Sequence, residues 1–291
     1  LIPTPWEPGL LVRTLGFCGN WPAAFIALRP ALPRLQTLIC RELGLKSVDL
    51  SKVPRLCEFD CRDNQLTELD LSPVPGLTKL WCLTNCITEL DLSPVPGLTM
   101  LDCSFNELTK LDLSLVMELA ELNCRGNELT ELAHSPIPRL TKFNCEHNQL
   151  TKLNLTSMPG LTVLDCMDNQ LTELDLTPVP GLTELNCTYN PITDLNLSPV
   201  PGLTELGCLS SQFTELDLSP VPGLTKLWCG RNQITELDLS SVPELTELNC
   251  AGCKLIELDL SPVPGLTKLD CWHHHLTELD LSPVPGLTDL N

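Results

Sequence analysis

Leu182-Thr183-Glu184-Leu185-Asn186-Cys187-Thr188-Tyr189-Asn190 alternates apolar and polar residues around Leu185 and Cys187. A period of two puts Leu185 and Cys187 on the inner side of a short strand and Asn186 on the outer side. Asn190 ends the strand, where a buried carboxamide can satisfy backbone groups of the turn and of a neighbouring segment. The phrase recurs along the chain. Cys40, Cys61, Cys82, Cys103, Cys124, Cys145, Cys166, Cys187, Cys208, Cys229, Cys250 and Cys271 each follow the last by 21 residues. The asparagine column keeps the same step at Asn64, Asn85, Asn106, Asn127, Asn148, Asn169, Asn190 and Asn232, and is interrupted by Ser211, Cys253 and His274. A fixed period of this length marks a solenoid of stacked coils.

Between strands, Glu173-Leu174-Asp175-Leu176 alternates again, which predicts a second short strand with leucines inward and carboxylates outward. Thr177-Pro178-Val179-Pro180-Gly181 then closes the coil. Its prolines cannot donate to a ladder, Val179 can tuck inward, and Gly181 permits a positive φ. One coil alone buries too little apolar surface to offset the entropy of ordering it, so coils must stack.

Composition fits. Aromatic residues make up 4% of the 291, so the core is aliphatic, and most of the 26 prolines sit in the recurring turn phrase. A net charge of −19 argues against nucleic acid or anionic membrane as partner, since both need clustered Lys and Arg. No apolar run approaches the roughly 18 residues needed to span a bilayer. The chain starts at Leu1 and stops one residue before the next cysteine is due, which reads as a fragment truncated at its C-terminus. Residues 1–34 lack the period. Asn20 reads as an N-cap, with Pro22 in the first turn of a short helix that ends before Pro30, giving an N-terminal cap or a linker. Residues 35–291 make about twelve coils.

Leu182-x-x-Leu185-x-Cys187-x-x-Asn190-x-Ile192 resembles the LxxLxLxxNxL segment of leucine-rich repeats, with Cys in place of one Leu. With Leu195-Asn196-Leu197 or Leu174-Asp175-Leu176 it is similar to the 21-residue cysteine-ladder subclass, called IRREKO or internalin J-like and written LxxLxCxxNxLxxLDLxxLxx. The likeness covers about residues 35–291. It implies a right-handed solenoid, mostly β, with parallel strands on a concave face, short strands opposite and shallow curvature. It also implies adhesion, host interaction or protein recognition by a secreted or cell-surface protein. A fainter likeness is to bacterial effector repeats that carry LPxLP phrases beside a ubiquitin-ligase domain. Here the phrase is Leu71-Ser72-Pro73-Val74-Pro75, and the sequence holds no ligase domain.

Several residue groups invite a chemical reading. In-register inward cysteines stand about 4.8 Å apart, farther than disulfide geometry prefers, so free buried thiols acting as small hydrophobes are expected. Cys18, Cys57, Cys86 and Cys253 fall outside the ladder phase. Cys250 and Cys253 have zinc-ligand spacing once, without a second pair, and Cys82–Cys86 and Cys57–Cys61 each contain one core-facing member. Trp272-His273-His274-His275 points its neighbours to different sides and reads as a surface cluster, while His134 reads as a packing irregularity. No metal site, cofactor or catalytic set is expected. Asp70, Asp91 and Asp112 form one carboxylate column, and Asp217, Asp238, Asp259 and Asp280 another, with Glu215, Glu236, Glu257 and Glu278 beside it. Mutual repulsion predicts raised carboxyl pKa values and a gain of stability near pH 5. Weak divalent-cation binding is the alternative use of these columns.

Core positions barely change between coils, whereas the outward positions flanking the strand vary widely. They hold Trp81, Leu83, Met100, Phe105, Arg125, His147, Met167, Tyr189, Leu209, Trp228, Arg231, Trp272 and His273. Exposed aromatic, Met and Arg side chains on a sheet suit a surface that a partner covers. The expected function is a non-catalytic recognition module that binds a protein or glycan through the concave sheet. A structural spacer or stalk is one alternative. The substrate-recognition part of an effector, with its enzyme domain outside this sequence, is another.

Overall fold

The computed structural model describes residues 13–18, 32–132, 136–273 and 276–291. The helix expected from Asn20, His134, His274 and His275 lie outside them. The chain divides into two compact units, Leu1–Asn127 and Glu128–Asn291. Each is a parallel β solenoid. The first holds β1 (Thr14–Cys18), β2 (Thr37–Arg41), β3 (Glu58–Asp60), β4 (Lys79–Trp81), β5 (Met100–Asp102) and β6 (Glu121–Asn123). The second holds β7 (Lys142–Asn144), β8 (Val163–Asp165), β9 (Glu184–Asn186), β10 (Glu205–Gly207), β11 (Lys226–Trp228), β12 (Glu247–Asn249), β13 (Lys268–Asp270) and β14 (Asp289–Leu290). From β2 on, paired residues are one sequence period apart, as in Leu185↔Leu206. The sheet begins before the period does: β1 pairs with β2 through Thr14↔Thr37 and Phe17↔Cys40. Among the described residues there is no helix, and so none long and apolar enough to cross a membrane.

Three features of the repeat lock coil to coil. The first is the core column, in which Val179, Leu182 and Cys187 are completely buried and Leu185 nearly so. The second is a threonine ladder. Thr162, Thr183, Thr204, Thr225, Thr246 and Thr267 each donate the side-chain hydroxyl at 3.0 Å to the carbonyl one coil earlier.

The third is the asparagine column. Asn169 Nδ2 donates to the carbonyls of Cys166 (3.1 Å) and Met167 (3.2 Å) in its own coil and of Cys145 (3.0 Å) in the coil before. Its Oδ1 accepts the Leu150 N–H of that earlier coil at 3.0 Å. The carbonyl of a ladder cysteine can thus serve two asparagines, as Cys61 does for Asn64 at 2.8 Å and Asn85 at 3.0 Å.

Two local expectations are corrected. Residues 173–176 keep the expected sides, with Leu174 and Leu176 buried and Glu173 and Asp175 exposed, but they form no strand. Two of their groups serve turns inside the coil: Asp175 Oδ1 accepts the Thr177 N–H at 2.9 Å, and Val179 donates to the Leu176 carbonyl at 3.0 Å. The left-handed backbone position is not Gly181 but the third residue past the strand, such as Tyr189 at φ 54°. Its N–H reaches the next coil, donating to the Leu209 carbonyl at 2.8 Å.

Asn169→Ala should destabilise the protein by about 2–4 kcal/mol in urea melts, because it strands buried backbone groups on two coils. Ser211 stands in the same column with its buried hydroxyl unpaired. Ser211→Asn should restore the clamp and raise stability by about 1 kcal/mol.

Candidate functional site

The three-residue strands turn the middle residue inward and the flanking residues toward the outer side, where Asp60 and Gly207 are nevertheless buried by their neighbours. The chain then passes an inward cysteine, one more outward residue, and the left-handed residue, whose side chain leaves the sheet. The variable positions read from the sequence therefore project from the strand side of each unit. Phe105 (46% exposed), Tyr189 (44%) and Trp272 (43%) are the most open of the aromatic ones, while Trp81 and Trp228 are half-buried.

Not all of them meet. In the first unit the Arg125 guanidinium lies 5.2 Å from the centre of the Phe105 ring. In the second, Arg231 lies 5.9 Å from the Trp272 ring, which packs 4.6 Å from His273. His147 sits between the carboxylates of Glu146 and Asp168. Met167, Tyr189, Leu209 and Trp228, from four successive coils, converge on one hollow of about 470 Å³ across β8–β11. Trp81, Leu83 and Met100 belong to the first unit.

Gly207, Glu184 and Asn186 also line the hollow and were missed in the sequence. The signal for Gly207 was present: neighbouring coils carry Asp165, Asn186, Trp228 and Asn249 at its position.

The inner side of the same strands carries the thiols. Cys166, Cys187, Cys208 and Cys229 are completely buried, and burial pushes the Cys187 thiol up to about 12. Such thiols are packing groups rather than nucleophiles. Cys253 occupies the asparagine column and keeps one of its bonds, with Sγ donating to the Cys229 carbonyl at 3.3 Å.

A scan against protein-family models and a search of the curated proteins found no match. Among solved structures, the functional domain of InlJ from Listeria monocytogenes, which includes a cysteine ladder, is 35% identical with a TM-score of 0.80 over 88% of this chain. This chain is a leucine-rich-repeat protein with a cysteine ladder. YopM from Yersinia enterocolitica is 29% identical over 97% of this leucine-rich-repeat chain, with a TM-score of 0.76. The chain spans 62% of the InlJ structure and 62% of the YopM structure. An internalin, InlF from Listeria monocytogenes, shares the fold at 19% identity and a TM-score of 0.80, over 86% of this chain and 85% of its own.

The leucine-rich repeats also carry the acidic columns, and here the sequence expectation reverses. Each aspartate is held by the residue two positions on. Asp238 Oδ1 accepts the Ser240 N–H at 2.8 Å, and Asp70, Asp91 and Asp217 do the same with Ser72, Ser93 and Ser219 at 2.9 Å. The Ser240 hydroxyl and then its N–H hold the Asp238 carboxyl below the usual range. In Asp259 the N–H and then the hydroxyl of Ser261 outweigh the raising effect of Asp280. Repulsion along the column is real but is the smaller effect, because the carboxylates are solvated and the hydrogen bonds are direct. The columns line an acidic groove through Glu236, Asp238, Glu257, Asp259, Glu278 and Asp280. Among the described residues no three such side chains converge as metal ligands.

Because these folded-state values lie below the ordinary aspartate value of about 3.9, the aspartates contribute stability above that pH and lose it as pH falls through the folded values. Melting temperatures should therefore show no gain from these groups between pH 7 and 5 and a decline below about pH 4. Asn154 and Asn196 already make the same turn bond without a charge, so Asp→Asn exchange in the columns should flatten that decline. Native-state alkylation should label the partly exposed Cys57 and Cys86 and reach Cys166, Cys187 and Cys208 only after unfolding, read by peptide mass mapping.

Proposed function

We propose that this chain is a non-catalytic recognition module that binds a protein or glycan partner through the outward face of its strands. The observation that carries the reading is the hollow formed by Met167, Tyr189, Leu209 and Trp228. These are large side chains on an otherwise regular surface, and such groups serve as anchors where a partner removes them from water. The flanking face supports the same reading. Arg125 on Phe105 and Arg231 on Trp272 present flat, preordered surfaces that lose little entropy on contact. The thiols and the turn-bound aspartates are absorbed by folding, which leaves the strand face as the surface free to vary.

Alanine substitution of Trp81, Tyr189, Trp228 and Trp272, singly and together, tests this on arrays of surface proteins and glycans. A partner held by the parent chain should bind roughly tenfold or more weakly to variants at anchor positions. Circular dichroism melts should stay close to the parent. Binding that survives the quadruple variant would instead favour a spacer or stalk.

A further inference from the structure

Taking the strand face as the binding surface, the hollow across β8–β11 also defines a chemistry. Gly207 is one of its lining residues. A Cβ there would come within 2.7 Å of Asn186 Oδ1, so the Asn186 side chain packs directly over Gly207 and a larger residue would displace it. Asn186 is itself fixed, donating to Asp165 Oδ2 at 3.2 Å and accepting the Thr188 N–H at 3.2 Å. The apolar walls are Met167, Tyr189, Leu209 and Trp228.

The acidic wall is less balanced. Along the first outward position of the strands, lysines pair with the carboxylate one coil earlier: Lys226 with Glu205 at 2.7 Å and Lys268 with Glu247 at 3.0 Å. Glu184 breaks this pairing, because its in-register neighbour in the next coil is Glu205, already taken by Lys226. The Glu184 side chain is exposed, and Lys226, which feels its charge, gives its hydrogen bond to Glu205. The hollow thus joins two aromatic side chains, an aliphatic and a thioether wall, and a carboxylate whose nearby cation, Lys226, is bonded directly to Glu205 instead.

We infer that this hollow receives an arginine side chain from an extended basic segment of a protein partner. A guanidinium meets each element. Its planar face stacks on Tyr189 or Trp228, its methylene stem covers Met167 and Leu209, and its fork satisfies the Glu184 carboxylate. The net charge of −19 draws a basic segment toward the surface before contact.

The whole chain, labelled with ¹³C-methyl methionine, tests this. It has four methionines, so the Met167 methyl can be assigned with Met167→Leu. The probes are acetylated, amidated peptides alternating Leu with Arg, Gln or Glu. The arginine peptide should shift the Met167 methyl saturably and bind about three- to tenfold tighter than the glutamine peptide, with the gap shrinking in salt. Glu184→Gln should remove most of that gap and leave the glutamine peptide unaffected. Equal shifts by the arginine and glutamine peptides, or a gap untouched by Glu184→Gln, would overturn the cationic assignment while leaving the strand face as a binding surface. A Met167 methyl that no peptide moves would overturn the site itself, and the alanine variants would then judge the face independently. A neutral oligosaccharide such as chitotetraose shifting Met167 where the peptides fail would reassign the hollow to glycan.

Discussion

The carboxamide that closes each strand bonds its own coil and the coil before it at once. Asn169 reaches the Cys145 and Cys166 carbonyls and receives the Leu150 N–H, all away from water. A slip of one residue would leave these groups buried and unsatisfied while turning the leucines outward, so the register is specified twice. The cysteine ladder runs beside this clamp. The cysteine carbonyl is the acceptor shared by successive asparagines, and its side chain points into the core beside the column. A small, weakly polar group fills that space without adding a hydrogen-bonding demand of its own. The departures are graded: Cys253 keeps one carbonyl bond, whereas the Ser211 hydroxyl keeps none.

The same regularity leaves the outward residues free to differ. Three-residue strands give each coil only a few outward side chains, and the left-handed residue after them adds another that stands clear of the sheet. Phe105, Tyr189 and Arg231 hold that conformation although none is glycine. The bond from the Phe105 N–H to the Arg125 carbonyl (2.7 Å) and its counterparts in other coils offset the backbone cost. Recognition would then be written in residues whose exchange leaves the clamp and core untouched, which is how a repeat scaffold changes partners without refolding.

The acidic columns show how a correct sequence observation can lead to the wrong sign. Asp70, Asp91 and Asp112 do share a column, and Asp112 does raise the Asp91 carboxyl slightly. The serine two residues on was also visible in the sequence, and an Asp-x-Ser turn supplies two donors to one carboxylate. At the surface, direct donors outweigh a screened neighbouring charge. The same turn accompanies the absence of a strand at residues 173–176 although their alternation is sound: the Asp175 carboxylate and the Leu176 carbonyl are bonded within the coil.

By itself, the sequence determined the period, the inward and outward sides of the coil, the buried asparagines and the thiols as core groups. Each of these depends only on residue type and position within the repeat, and every coil repeats the evidence. The variable positions were legible in the same way, because the repeat defines what is constant. Which of them meet was decided by the tertiary structure. Met167, Tyr189, Leu209 and Trp228 share a hollow that Gly207 and Asn186 also line, with the Asn186 side chain packed over the glycine. Glu184 has no lysine bonded directly to it because register places Glu205 beside it and Lys226 bonds Glu205. These relations run across coils, between residues separated by one or more periods, and stacking creates them.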